Sequence, residues 1–185
     1  MIRDAAPFAH KLLLTREYVI SLARNEIVLN DTVENVGSAP TPLEILYHCN
    51  VGYPLLDEHA VLSIPSTHVE PRNAHAATGI EHWKRVEKPQ RGYEEMCYYH
   101  TLEGETEVGI YNPHIQKGLR ICYDAAQLPC FTQWKMMGEQ EYVMGLEPGN
   151  CLPDGRNVMR ERGMLDTLEP SGKRSFSLRF CFTDQ

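Results

Sequence analysis

What this sequence lacks narrows it first. No apolar run approaches the roughly 20 residues that a bilayer-spanning helix needs. The first residues show no signal-peptide pattern of a charged stretch followed by an apolar one. The six cysteines, Cys49, Cys97, Cys122, Cys130, Cys151 and Cys181, form no Cys-x-x-Cys pair of the zinc or dithiol kind. Neither a P-loop nor a Gly-x-Gly-x-x-Gly turn is present to cradle a nucleotide phosphate. Lys and Arg, 18 in all, are outnumbered by 25 Asp and Glu, and a charge of −7 disfavours nucleic-acid backbones and anionic lipid surfaces. His68, His75, His82 and His114 are scattered, without metal-ligand spacing. We therefore expect no metal, cofactor, nucleic acid or membrane partner. Cysteines inside apolar runs such as 120–123 and 180–182 read as reduced core thiols, which suits a cytoplasmic location.

What is present is an ordinary folding composition: 185 residues, 42% hydrophobic and 23% charged. No repeat, linker or low-complexity tract divides the chain, so one domain over 1–185 is expected. Alternation dominates and helical periodicity is scarce. Residues 11–22 and 26–34 read as a hairpin turning at 23–25, followed by a loop that Gly37, Pro40 and Pro42 enforce. Further strands are expected at 44–49, 60–64, 94–102, 105–112, 118–123, 130–136, 142–147 and 175–183. In the last, Phe176, Leu178, Phe180 and Phe182 alternate with Ser, Arg and Cys. Glu103-Gly104 reads as a tight hairpin turn, and 112–118 as another. A short helix is placed within 74–87. About ten strands with frequent turn signals imply an all-β, antiparallel β-sandwich.

Two segments are too polar and too rich in Gly and Pro for plain strand ends. One runs over 47–58 and carries His48; the other runs over 134–156 and carries Glu147. Around them stand Glu-Asn-Val-Gly at 34–37, Pro-Thr-Pro at 40–42 and Leu-Tyr-His-Cys-Asn-Val-Gly-Tyr-Pro-Leu-Leu-Asp-Glu at 46–58. Trp-Lys-Met follows at 134–136 and Leu-Glu-Pro-Gly-Asn at 146–150. With these motifs, in this order, the chain resembles the aldose 1-epimerase (galactose mutarotase-like) superfamily, in particular a branch of uncharacterised members. The resemblance implies the family's β-supersandwich, a histidine as general acid and a glutamate as general base; the matching positions are His48 and Glu147. One departure stands out: His48 is followed by Cys49 and Asn50, not by the Pro-Tyr-Phe-Asn of the wider family.

The chemistry suits such a pair. Interconverting sugar anomers needs a base for the anomeric hydroxyl proton and an acid for the ring oxygen, both titrating near the working pH. Trp134 is either core or a wall against a sugar's apolar face. Lys135 is either a ligand for hydroxyls or a negative substituent, or a solvated strand charge. Asn50, Asp57, Arg72 and Asn150 are candidate partners for sugar hydroxyls, and Arg72 and Arg156 with Lys135 could make a local positive site. Glu95 and His100 stand five apart on one expected strand, so alternation sends them to opposite faces.

The leading expectation is thus a carbohydrate epimerase acting on a small sugar or sugar derivative. Alternatives are a sugar-binding sandwich without turnover and a sugar or sugar-acid isomerase or lyase, and fold alone does not choose among them. By Lys11 the chain is already in a hairpin that lies mid-chain in the family it resembles. The expectation is therefore an N-terminally shortened sandwich, open on one side, self-associating as a homodimer through exposed edges and weak in turnover.

Overall fold

A computed structural model of the chain describes residues 1–183. In chain order the strands are β1 (Ile2–Ala5), β2 (Lys11–Ile20), β3 (Glu26–Asn35), β4 (Thr41–Leu43), β5 (Cys49–Gly52), β6 (Val61–Ser63) and β7 (His68–Pro71). After a helical turn, α1 (Ala74–Ala77), come β8 (Met96–Thr101), β9 (Glu105–Asn112), β10 (Lys117–Asp124), β11 (Cys130–Gly138) and β12 (Glu141–Gly149). The chain then forms α2 (Arg156–Glu161), β13 (Asp166–Leu168) and β14 (Lys173–Thr183). A seven-stranded sheet runs β1-β2-β3-β14-β10-β9-β6, a five-stranded sheet β5-β12-β11-β8-β7, and β4 pairs with β13. Every pairing of these strands is antiparallel. The two large sheets form the β-sandwich that the strand pattern implied.

Their inner faces meet in one core. The long sheet contributes Leu29, Val33, Val108, Ile110, Ile121, Phe176 and Leu178; the short one contributes Val51, Phe131, Met137, Met144 and Leu146. These residues sit two apart on their strands, as a period of two requires. The long sheet outreaches its cover, however. Tyr18 and Ile20 lie beside Leu29 and Ile27 on the inner side, yet are 60% and 64% exposed. For the same reason the Phe176–Phe182 alternation fades outward: Phe176 is buried and Phe182 is exposed.

Three local expectations need correction. Residues 44–48 are not a strand: β4 closes at Leu43, and the chain crosses to the other sheet before β5 opens at Cys49. Glu103-Gly104 is a corner rather than a hairpin, because β8 and β9 belong to different sheets. The helix in 74–87 shrinks to α1 and a 3-10 turn over Ile80–His82. Between them Gly79 lies against the Tyr98 hydroxyl and the Met96 sulfur, where a side chain has no room. The hairpins β2–β3 and β9–β10 form as the turns suggested. Helix α2 carried no periodicity to foresee.

Candidate active site

The outward face of the five-stranded sheet positions the site. Pairing sets Gly145 opposite both Trp134 and Asn50, Trp134 opposite Cys97, and Thr132 opposite both Glu147 and Tyr99. Opposed residues share a face, so one surface carries Asn50, Cys97, Tyr99, Thr132, Trp134, Gly145 and Glu147. One end of it is roofed by α2, whose Met159 packs with Tyr99, Cys130, Cys151 and Leu152. The other end, around Trp134, stays open.

The two polar segments are stitched together by backbone and side chain. The Asn150 side chain accepts the Ile45 N–H at 2.7 Å and donates to the Leu43 carbonyl at 2.9 Å. The Tyr47 N–H donates to the Pro148 carbonyl. On the inner side the Tyr47 hydroxyl donates to Asp31, which Arg16 holds with two hydrogen bonds. Tyr47 is thus pinned inward, while His48 stands on the outer side beside Asn50.

There His48 Nε2 stands 2.9 Å from Glu147 Oε1. Its Nδ1 lies 2.7 Å from Asn50 Oδ1; the amide oxygen can only accept, so Nδ1 carries a proton. The imidazole is half-exposed, whereas the Glu147 side chain is 2% exposed. Glu147 Oε1 nevertheless has no hydrogen-bond donor, because the nearby imidazole approaches off the line such a bond needs. Burial pushes the Glu147 carboxyl up to about 7; the nearby imidazole pulls it down and Glu95 adds to the rise. The arrangement sets a buried carboxyl whose proton affinity is raised to about 7 beside an imidazole that holds a proton on its far nitrogen, which is the composition of an acid–base pair.

Trp134 frames the pair. Its ring meets the His48 ring edge-on at 5.4 Å, and its indole N–H donates to Glu95 Oε2 at 2.7 Å. A cleft of about 440 Å³ adjoins it, lined by Glu95, Trp134, Met136, Glu141 and Val143. A larger cleft of about 790 Å³, lined by residues such as Glu58, Lys84 and Gln90, includes neither member of the acid–base pair.

The other sequence candidates divide. Arg72 lies beyond the end of β7 beside Cys97, with Nε 3.2 Å from Asp154 Oδ1 and Nη1 3.9 Å from the Cys97 sulfur. Asp154 also accepts from the Tyr99 hydroxyl at 2.7 Å, so this arginine is neutralised in place. Lys135 does not reach the site. It is buried on the core face, where Nζ donates to the Arg85 carbonyl at 2.9 Å and sits 3.1 Å from Glu87 Oε2. Arg156 pairs with Glu44, so no common positive site forms from these three. Asp57 accepts the His59 N–H in a local turn, and Asn150 holds the 43–45 backbone; neither is placed against His48. Glu95 faces the site and His100 the core, where it packs between Trp83 and Phe131. Tyr99, Thr132, Gly145 and Asp154 were not among the candidates. Alternation on the 94–102 and 130–136 strands carried the signal for the first two, once Trp134 fixed the face.

Among the described residues no group of His, Cys, Asp and Glu is arranged to hold a metal ion. No helix among the described residues is long and apolar enough to cross a membrane.

The fold recurs in known proteins. A Klebsiella pneumoniae protein described as a "putative aldose 1-epimerase" superposes with a TM-score of 0.93 at 26% identity, over 98% of this chain and 49% of its own. A galactose mutarotase-like protein from Clostridium acetobutylicum gives 0.71 at 13% identity, over 95% of this chain and 57% of that one. A galactose mutarotase-like protein from Lactobacillus casei gives 0.60 at 12%, over 98% and 72%. The latter two show a shared fold. The chain spans about half the length of the Klebsiella protein. No curated protein sequence matches it. The family model described as "Domain of unknown function (DUF4432)" matches residues 1–181, so the chain belongs to the DUF4432 family, within the aldose 1-epimerase-like and galactose mutarotase-like structural group.

Proposed function

We propose that this chain carries the acid–base site of a carbohydrate epimerase that interconverts sugar anomers. One observation supports it above the rest: a buried carboxylate oxygen without a hydrogen-bond donor, 2.9 Å from a half-exposed imidazole. Leaving such a group unpaired costs stability, and active sites are where that cost recurs.

The step follows from the two groups. Glu147 takes the proton of the anomeric hydroxyl as its oxygen becomes the aldehyde carbonyl. The bond from the anomeric carbon to the ring oxygen breaks, and that oxygen receives the proton of the His48 imidazolium. After rotation about one carbon–carbon bond, the aldehyde recloses on its other face. Glu147 then returns its proton to the new anomeric oxygen and His48 recovers one from the ring hydroxyl. Both reacting oxygens hang on one carbon, so an acid and base already in contact need only part slightly to admit them. Trp134 offers a face to the sugar's C–H surface, and Asn50 fixes the imidazole. With Arg72 bound to Asp154 and Lys135 in the core, the cation expected for an anionic substituent is missing from this arrangement, which favours an uncharged sugar.

A second reading has an observation in its favour. The imidazole and carboxylate touch each other directly, as they do in a purely structural ion pair, and a sugar-binding face without turnover needs nothing more. Exchange NMR on a panel of aldoses separates the two. Epimerase action shows as saturation transfer between α and β anomer signals above the uncatalysed rate. Ligand shifts without exchange support the binding face, and neither effect with any sugar removes both readings.

A further inference from the structure

Strand β12 carries a glycine two residues before Glu147, and its backbone does not call for one. Gly145 is not among the residues with positive φ, so conformational freedom is not the reason for it. A glycine inside a strand is a cost in stability against alanine. The space above it explains the choice. A Cβ at 145 would meet Glu147 first: Oε1 in hard overlap, Cδ at 3.0 Å and Cγ at 3.2 Å. The Glu147 side chain therefore lies back along its own strand and occupies the volume a methyl group would take. The same notch is opposed by Trp134 on β11 and by Asn50 on β5. Those residues respectively touch the His48 ring and hold its Nδ1.

We propose that Gly145 is a positioning residue for this site: its missing side chain seats the Glu147 carboxylate in the corner formed by His48, Trp134 and Asn50. Any side chain at 145 expels the carboxylate from that corner. What must move is the flexible end of one side chain, not the backbone, so the sandwich itself tolerates alanine. The expelled carboxyl gains water and loses the enclosure that keeps its proton affinity high. The charged and titratable groups around it are His48 and Cys49 at the start of β5, Glu95 ahead of β8 and Cys97 on β8, and none of them changes in the variant.

The proposal rests on Glu147 as the base, but its test does not depend on turnover alone. In Gly145→Ala the Glu147 carboxyl, followed by carbon-13 NMR, should titrate well below the wild-type midpoint of about 7 and towards the ordinary 4.5. Anomer exchange should fall by about tenfold to a hundredfold, in kcat more than in KM. An unchanged titration and an unchanged exchange rate would overturn the proposal. Should the alanine variant melt early, the double variant Gly145→Ala/Glu147→Ala decides. Removing the obstructing carboxylate should bring its melting temperature to that of Glu147→Ala alone. An equal loss in both backgrounds shows the methyl striking something else, and the proposal fails. If wild type exchanges no sugar while Gly145→Ala still shifts the titration, the epimerase reading falls and the positioning role stands.

Discussion

The two faces of the five-stranded sheet each bury a charged group, and they treat it differently. On the inner face Lys135 is 1% exposed and meets both Glu87 and the Arg85 carbonyl. On the outer face Glu147 is 2% exposed and its Oε1 has no donor. The histidines follow the same division. His100, packed inside, is joined to the Ser66 hydroxyl at 2.7 Å and is held neutral by burial, its proton affinity lowered to about 4. His48, outside, has one nitrogen fixed and the other turned to the carboxylate. Burial without a hydrogen bond does not by itself mark function here, because Glu87 Oε2 and His100 Nε2 on the inner side lack one as well. What sets the outer face apart is access: the imidazole beside Glu147 is half-exposed, whereas His100 is enclosed in the core.

The largest expected effect breaks that contrast on the outer face. Glu147→Gln keeps the shape and removes the base, so anomer exchange should fall by roughly 10²–10⁴ while sugar-induced NMR shifts persist. Exchange at the wild-type rate would take Glu147 out of the mechanism. On the inner face the analogous change is Lys135→Met. It strands Glu87 beside the core, and stability should fall by about 3 kcal/mol, or about 6–12 °C in melting temperature. Anomer exchange per folded molecule should be unaltered; a selective loss of turnover would put Lys135 back in the site.

pH sharpens the comparison. His100 has a folded value near 4 against an ordinary 6.5, so the unfolded chain binds more protons between them. Its contribution is complete above pH 6.5 and is lost, on the order of 3 kcal/mol, as pH falls through 4. Glu147 runs the other way. Raised from 4.5 to about 7, it contributes below pH 4.5 and loses that contribution as pH rises through 7. Melting temperature measured across this range should therefore show Glu147→Gln gaining on wild type as pH rises, with the acid limb common to both. A constant offset at every pH would mean that the carboxyl is not raised. The smallest effect is optical. Sugar titration should change tryptophan emission through Trp134 at the site, not through Trp83 at the core, and Trp134→Phe should remove the change.

Much of the strand content was legible because alternation is a local property. The β9–β10 hairpin and the strand bearing Phe176 and Leu178 needed nothing beyond it. The same rule could have separated Trp134 from Lys135, since adjacent strand residues face opposite ways, as it did separate Glu95 from His100. Turns were less secure. Glu103-Gly104 has hairpin chemistry, yet it joins two sheets, because Gly104 at φ 60° suits a corner as well as a hairpin. The short strands β1, β4, β7 and β13 escaped notice, having too few residues to display a period.

The sequence by itself determined an all-β chain, the polar segments around His48 and Glu147, and which residues of a strand share a face. Those follow from side-chain period and turn chemistry, both set within a few residues. Tertiary structure alone decided which face is covered, because covering depends on a second sheet assembled from residues far along the chain. It also decided that Glu147 is desolvated in the notch over Gly145 and meets His48 across 98 intervening residues. Proton affinity depends on surroundings in space, and no local pattern encodes them.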